Sequence, residues 1–552
     1  MLERLSHGVM LLWGWRRTLV VALAGALGGL AQAPLGAFPV MWIGLPVLVW
    51  ALDGAVETRG EERGGRLARS WPAFRIGWTF GFGWFLAGLW WIGGAFLVDL
   101  DVFGWMLPIA LAALSIGLGL FHGLAAAIAR IGWTEGPGRI LSLAAGFFFA
   151  DWLRGHVLTG FPWGTIGQAF TVNGPMMQIA SLLGGYGPSF LAVLVFAAPA
   201  LLARPGVAER RFVAAVGAIF VAVVGFGFVR LAVIPTESVP GLRFRVVQPA
   251  IDQWSKGRPE FKYETMNRFV ELSSGPARDR SGAPVAAGLR SGLAGTRPGR
   301  LPGITHLIWP ESSFPFLLSR EPWALATIAE LIGDDTLLVT GAIRAEAPSA
   351  GEVRPRFYNS VLALGPGAEI LAAYDKVHLV PFGEYLPFQD FAESLGLEQL
   401  TRQHGGYTPG PGRRSMRLPG TPLFAPLVCY EAVFPGEVVP AGERPRFLLN
   451  VTNDAWFGRT PGPWQHLLQV RLRAVEEGLP VVRAANDGVS AAIDPLGRVV
   501  AGLGLGSAGS IDFDLPEPIP PTFASRFGEV SGWMLATIAF LWSWRQRRKI
   551  VR

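Results

Sequence analysis

The sequence predicts a two-part fold, an α-helical polytopic membrane region of about eight spans and an α/β domain placed before the last span. Three observations carry this. Of the 552 residues, 51% are hydrophobic and only 16% are charged, outside the range of ordinary soluble domains. The apolar residues gather in stretches near 18–33, 37–52, 75–98, 103–130, 139–154, 176–203, 211–234 and 529–545. From about Leu242 the texture changes to short apolar runs, turn residues and amphipathic stretches, as a soluble α/β domain reads. The divisions fall at 1–234 for seven spans, 235–528 for the α/β domain, and 529–552 for the last span with its basic tail.

Several stretches reach the roughly 20 residues that a bilayer core requires. The first, second and fifth are short and depend on tilt or flanking residues. Arginine orients them, because cationic residues in short loops are retained on the cytoplasmic side. Arg16 and Arg17 precede the first span. Arg59, Arg63, Arg66, Arg69 and Arg75 lie between the second and third, Arg130 and Arg139 between the fourth and fifth, and Arg204, Arg210 and Arg211 between the sixth and seventh. Asp99 and Asp101 mark the opposite side, and Arg545, Arg547, Arg548 and Lys549 close the chain. Both termini therefore face the cytoplasm in this reading, and residues 235–528 lie outside it. The first stretch also imitates a signal peptide through Ala31-Gln32-Ala33. Pro34 directly afterwards disfavours cleavage, and the later orientation holds either way. The net charge of +7 is mostly juxtamembrane arginine, which points to topology and anionic-lipid contact and away from nucleic acid.

In the α/β domain, Arg243 to Val247 reads as a strand. Pro259 to Leu272 reads as a helix with proline at its first turn, where no backbone N–H is missed. Residues 273–303, rich in Gly, Arg, Ser, Ala and Pro, read as a surface insertion. Strands follow near 305–309, 336–342, 357–364 and 369–374, with a helix near 321–332. Further strands fall near 423–428, 446–451, 480–485 and 489–493, with a helix over 464–477. Glu311, Lys376 and Cys429 each come just past a strand, where α/β sheets collect their chemistry. No internal repeat, P-loop, dinucleotide fingerprint or zinc-ligand spacing is present, so no cofactor and no metal are expected.

Cys429 is the chain's single cysteine. It has no intrachain disulfide partner, which leaves burial as a small apolar residue or use as a thiol. A thiol needs a base to attack a carbonyl at neutral pH. Glu311 could take the proton once desolvation raises its pKa. Lys376 would supply positive charge beside a developing oxyanion, joined by the backbone N–H of Tyr430. Lysine occurs only at 256, 262, 376 and 549 among 48 cationic residues, so a lysine at 376 suggests a compact point charge is needed.

These three segments resemble the Glu-Lys-Cys site of the nitrilase superfamily. The surrounding words are more specific: Tyr374-Asp375-Lys376-Val377-His378-Leu379-Val380-Pro381-Phe382-Gly383-Glu384, Val428-Cys429-Tyr430-Glu431, Asn453-Asp454-Ala455-Trp456-Phe457, and Thr159-Gly160-Phe161-Pro162-Trp163. They resemble the bacterial apolipoprotein N-acyltransferases, which join eight membrane spans to a periplasmic nitrilase-like αββα sandwich. The resemblance implies Glu311 as general base, Lys376 as transition-state stabiliser and Cys429 as acyl-accepting nucleophile, with support from Glu384, Asn359, Tyr430 and Glu431. For these four, a solvated carboxylate or turn and packing chemistry is the competing reading. Trp163, Trp456 and Phe457 could contact acyl chains or anchor at the interface. His378 and His466 read as structural. The family's opening word, Gln-x-Asn-Ile-x-Gln followed by Lys-Trp, keeps Gln248, Ile251, Gln253 and Lys256, but Ala250 and Gly257 depart from it, with Trp254 nearby.

The resemblance further implies a monomeric inner-membrane enzyme with a membrane phospholipid as acyl donor and a diacylglyceryl apolipoprotein as acceptor. The reaction would run ping-pong through a thioester. Segments 384–410 and 456–464 are candidates for a lid that excludes water. Two other readings stay open: a membrane-tethered amidase that uses water as acceptor, and a transporter whose external domain only binds ligand.

Overall fold

The computed structural model describes residues 1–55, 66–277, 301–348, 355–394, 399 and 406–551. Most of the expected insertion (278–300) and part of one expected lid segment (395–398 and 400–405) lie outside the described residues. The chain forms two compact units: Met1–Gly93 with Phe103–Pro235 and Pro521–Arg552, and Gly94–Val102 with Thr236–Pro520.

The first unit is helical, as apolar chain must be where no water can satisfy its backbone. Among the described residues, three helices are long and apolar enough to cross a membrane: Ser70–Leu97, Leu100–Ile131 and Val207–Val233. Helices Gly14–Ala31, Met41–Asp53, Gly138–His156 and Val530–Val551 occupy four more of the apolar stretches. Small residues set their spacing. A Cβ added at Gly25 would lie 2.0 Å from the Phe80 carbonyl oxygen, and one at Gly83 would lie 1.9 Å from that of Ala22. The stretch 176–203 is not one helix. It breaks at Gly184 (φ 68°), with helices Ala180–Leu183 before the break and Gly187–Ala197 after it. Hydropathy reports composition and is blind to such a turn.

The second unit carries eleven strands among its described residues: β1 (Ser238–Gln248), β2 (His306–Trp309), β3 (Leu337–Glu346), β4 (Arg356–Leu364), β5 (Ile370–Asp375), β6 (Phe424–Val428), β7 (Phe447–Thr452), β8 (Val481–Ala485), β9 (Ser490–Ile493), β10 (Val499–Leu503) and β11 (Gly509–Pro516). They form a six-stranded sheet ordered β11-β1-β2-β3-β4-β5 and a five-stranded sheet ordered β10-β9-β8-β7-β6. Both sheets are mixed. β1, β2 and β3 run parallel, as do β6, β7 and β8, while the remaining pairs are antiparallel.

Alternation along each strand explains the layering. Phe244, Val246, Ile308, Val339 and Val361 from the first sheet meet Val428, Leu449, Val451 and Val482 from the second in one central core. Their neighbours Val247, Leu307, Trp309 and Leu338 face the other way, onto helices Lys262–Ser274 and Pro322–Ile332. Leu427, Leu448 and Val481 do the same onto helix Gly462–Glu477. The result is helix, sheet, sheet, helix. Strands buried on both faces read as near-continuous apolar runs, which is why most were legible in the sequence.

Candidate active site

Glu311, Lys376 and Cys429 follow the ends of β2, β5 and β6. The structure gathers them. The Lys376 ammonium lies 3.8 Å from a Glu311 carboxylate oxygen and 2.8 Å from one of Glu384. Asn359, on β4, donates from Nδ2 to Glu311 Oε1 at 2.7 Å and to Glu384 Oε1 at 2.9 Å. Its main-chain carbonyl receives the Lys376 N–H at 2.8 Å. One asparagine therefore aligns both carboxylates and the strand end that carries the lysine. All four side chains are buried.

Each turn has its own support. At Glu311, Gly341 on β3 exchanges main-chain hydrogen bonds with Pro310 and Ser313 at 3.0 and 2.9 Å. A Cβ at Gly341 would stand 2.5 Å from the Glu311 Cα, so only glycine permits this approach. Ser312 adopts φ 47°. At Lys376, the preceding Asp375 is clamped by Arg344 at 3.0 and 2.8 Å and by the Ser360 hydroxyl at 2.6 Å.

Cys429 itself has φ 51°, a left-handed conformation that costs a non-glycine residue about 1–2 kcal/mol. Such strain persists only where the surroundings over-determine it. Here the Cys429 carbonyl accepts from His466 Nε2 at 3.2 Å and from Asn450 Nδ2 at 3.4 Å. His466 Nδ1 meets Asp454 at 2.9 Å, and Asp454 is held by Arg483 at 2.6 Å and the Thr452 hydroxyl at 3.1 Å. His466 thus links the Cys429 turn to Asp454.

Glu431 joins two of the turns. Its carboxylate accepts from Val428 N at 2.8 Å beside the cysteine, and from Val377 N at 2.8 Å, His378 N at 3.2 Å and the Tyr374 hydroxyl at 2.9 Å beside the lysine. Tyr430 is buried, with its ring packed on Phe434 and His378. Trp456 is half-buried on the single turn Asp454–Phe457 after β7. Trp163 belongs to the helical unit, where it is buried against Trp91. Its loop is held by Arg154, which donates to the Trp163 carbonyl at 2.7 Å and pairs with Asp151 at 2.9 Å.

The electrostatics suit a proton held on sulfur at rest. Burial pushes the Cys429 thiol well above its ordinary pKa, Glu311 adds to this, and Lys376 opposes it. Burial likewise raises Glu311, against Lys376, which makes its carboxylate a better proton acceptor than an exposed one. Burial works against the Lys376 charge, but Glu384 and Glu311 outweigh it and hold the ammonium protonated.

Sequence reasoning missed several participants. Tyr407 donates its N–H to the Glu384 carbonyl at 2.8 Å, and burial with Glu384 and Glu311 raises its phenol. Nothing in Gly405-Gly406-Tyr407 signals this. Lys256 carried no assigned role, yet it reaches the Glu311 carbonyl at 2.8 Å. Of the two departures, Ala250 stands at φ 50°, a conformation asparagine tolerates better than alanine. A Cβ at Gly257 would meet nothing within 4 Å, and nearby Trp254 is exposed under the Arg258 guanidinium at 3.6 Å.

Residues 24–198 match the apolipoprotein N-acyltransferase N-terminal domain, and residues 300–517 match the carbon-nitrogen hydrolase family. The chain is similar to the apolipoprotein N-acyltransferase of Bradyrhizobium diazoefficiens, with 46% identity over 99% of this chain and 98% of the relative. It is also similar to that of Rhodopseudomonas palustris, with 44% identity over 98% and 97%. Among solved structures, the chain has similarity to the NitN amidase from Neterenkonia sp. AN1, 20% identical over 50% of this chain and 93% of its own, with a TM-score of 0.32.

Proposed function

Since the chain belongs to the apolipoprotein N-acyltransferases, we propose that it transfers a fatty acyl group from a membrane phospholipid to the N-terminal α-amino group of a diacylglyceryl apolipoprotein, through a thioester on Cys429. That the chain is an acyltransferase of this family follows from similarity over nearly its whole length.

Glu311 accepts the Cys429 proton as the sulfur attacks the ester carbonyl. Lys376 stabilises the oxyanion that forms, in a site from which water is largely excluded. Collapse breaks the ester C–O bond, Glu311 returns the proton to the leaving alkoxide, and a lysophospholipid departs. The acceptor amine then attacks the thioester and yields its proton to Glu311. The C–S bond breaks, an amide forms, and the proton returns to the thiolate. Asn359 and Glu384 hold base and ammonium in line, Glu431 and Tyr430 position the turns, and Trp163 and Trp456 are the residues we assign to acyl or interface contact. Phe382, Phe388 and Phe391, all exposed, offer apolar surface to acyl chains near the expected lid.

The same reading places eight spans in the bacterial inner membrane, the α/β unit in the periplasm and both termini in the cytoplasm, as arginine placement argues. Because donor and acceptor are both lipid-anchored, a tethered enzyme keeps long acyl chains out of water.

One observation carries the proposal: Glu311 and Lys376, 3.8 Å apart and buried, share one site with the chain's only thiol, whose ionisation both influence. Incubation with phospholipid labelled in its acyl chain should leave label on the protein that resists detergent and is released by neutral hydroxylamine. A Cys429→Ala variant that still acquired and transferred the label would remove the mechanism.

A further inference from the structure

Lys256 is buried at the end of the short helix Gln253–Lys256 after β1. Its ammonium donates to the Glu311 main-chain carbonyl at 2.8 Å, its one hydrogen bond among the described residues. An ammonium carries three donors, so two are left over. A buried cation is expensive unless its charge is used, and an uncharged donor would serve a carbonyl as well. Beyond that bond, the negative charges that favour the ammonium here are those of the Glu311 carboxylate and an ionised Cys429 sulfur.

We propose that Lys256 is a positioning residue of the acyl-transfer centre: it pins the Glu311 turn through its carbonyl and stabilises the Cys429 thiolate as the proton passes from sulfur to Glu311. The inference rests on Cys429 being the nucleophile. With Lys256 charged, two carboxylates (Glu311 and Glu384) face two ammonium groups (Lys256 and Lys376), and the cluster is balanced before the thiol ionises. Moving the proton from sulfur to Glu311 then leaves the cluster neutral, whereas without that charge the same transfer takes place in a buried site that already carries one net negative charge. The turn needs the pin as well, since Ser312 holds φ 47° and Gly341 touches the Glu311 backbone. Burial draws Lys256 down to about 7, with Glu311 and Cys429 pulling upward. Its charge is therefore present on the acid side of neutrality and fades on the alkaline side.

Because Cys429 is the only cysteine, its alkylation by iodoacetamide reads the thiolate directly in the intact, detergent-purified protein. Wild type, Lys256→Gln and Lys256→Met are compared from about pH 6 to about pH 10, each below its own melting temperature. Lys256→Gln keeps a donor for the carbonyl without the charge. At pH 7 both variants should alkylate about tenfold more slowly than wild type, one unit of thiol pKa, and the gap should narrow as pH rises. Lys256→Gln alkylation profiles that superimpose on wild type would overturn the inference, whatever Lys256→Met does. The hydroxylamine-releasable label is scored separately on wild type: its absence would sink the acyl-transfer reading, while the alkylation comparison would still decide the role of Lys256.

Discussion

Glu431 collects four donors and has little capacity left for a substrate, so its contribution is to hold the site in shape. Each buried donor left without a partner costs about 1–3 kcal/mol. Glu431→Ala should therefore lower the thermal unfolding midpoint markedly and abolish the hydroxylamine-releasable acyl label; a variant melting like wild type would refute the brace. Lys376→Arg tests the opposite case. A planar guanidinium cannot reproduce a point charge 2.8 Å from Glu384 and 3.8 Å from Glu311, so acyl transfer should fall by about 10²-fold with little change in melting. Lys256 carries a pH signature of its own. Its folded pKa of about 7 lies below the ordinary lysine value, so the unfolded chain binds the extra proton between the two. Stability owed to this group is thus present above the ordinary lysine pKa and is lost as pH falls from there to about 7. The melting temperature of wild type minus that of Lys256→Met should rise from neutral toward alkaline pH. At this scale Glu311, Lys376 and Cys429 were legible because each sits in a distinctive word just past a strand. The Asp454, Arg483 and Thr452 supports were not, because their partner His466 becomes a neighbour of Cys429 only through the fold.

At the scale of elements, the contact between β3 and the turn after β2 is the least forgiving. A methyl group on Gly341 would meet only backbone: Glu311 Cα at 2.5 Å, Pro310 O at 2.6 Å and Ser312 N at 2.8 Å. Nothing there can swing aside, so Gly341→Ala should displace the Glu311 turn and slow thioester formation by at least about tenfold, while circular dichroism stays close to wild type. Unchanged thioester kinetics would show that the turn tolerates movement. Strands with two buried faces were readable from their apolar runs. β10 and β11 were not anticipated, because β10 is mostly half-exposed and includes Gly502, and β11 places Asp512 and Asp514 outward against Arg245 and Arg243 at 2.7 and 3.4 Å. Charges answered across a ladder look, in one dimension, like a loop. The break at Gly184 escaped for a related reason, since its neighbours are as apolar as any span.

For the whole molecule, arginine placement gives a topology that can be measured. In a Cys429→Ala background, Glu443→Cys replaces an exposed side chain of the α/β unit. It should react with a membrane-impermeant maleimide in intact spheroplasts; labelling only after permeabilisation would reverse the orientation. A different kind of consequence follows from where the reacting groups are rooted. Lys376 grows from β5, at one border of the first sheet, and Cys429 from β6, at one border of the second, with the Glu431 carboxylate bridging them. Slippage of one sheet past the other would separate sulfur from ammonium well before either sheet lost its own hydrogen bonds. Turnover is then a strain gauge for the sandwich: in rising urea, acyl transfer should fade at concentrations where far-ultraviolet signals still report an intact protein.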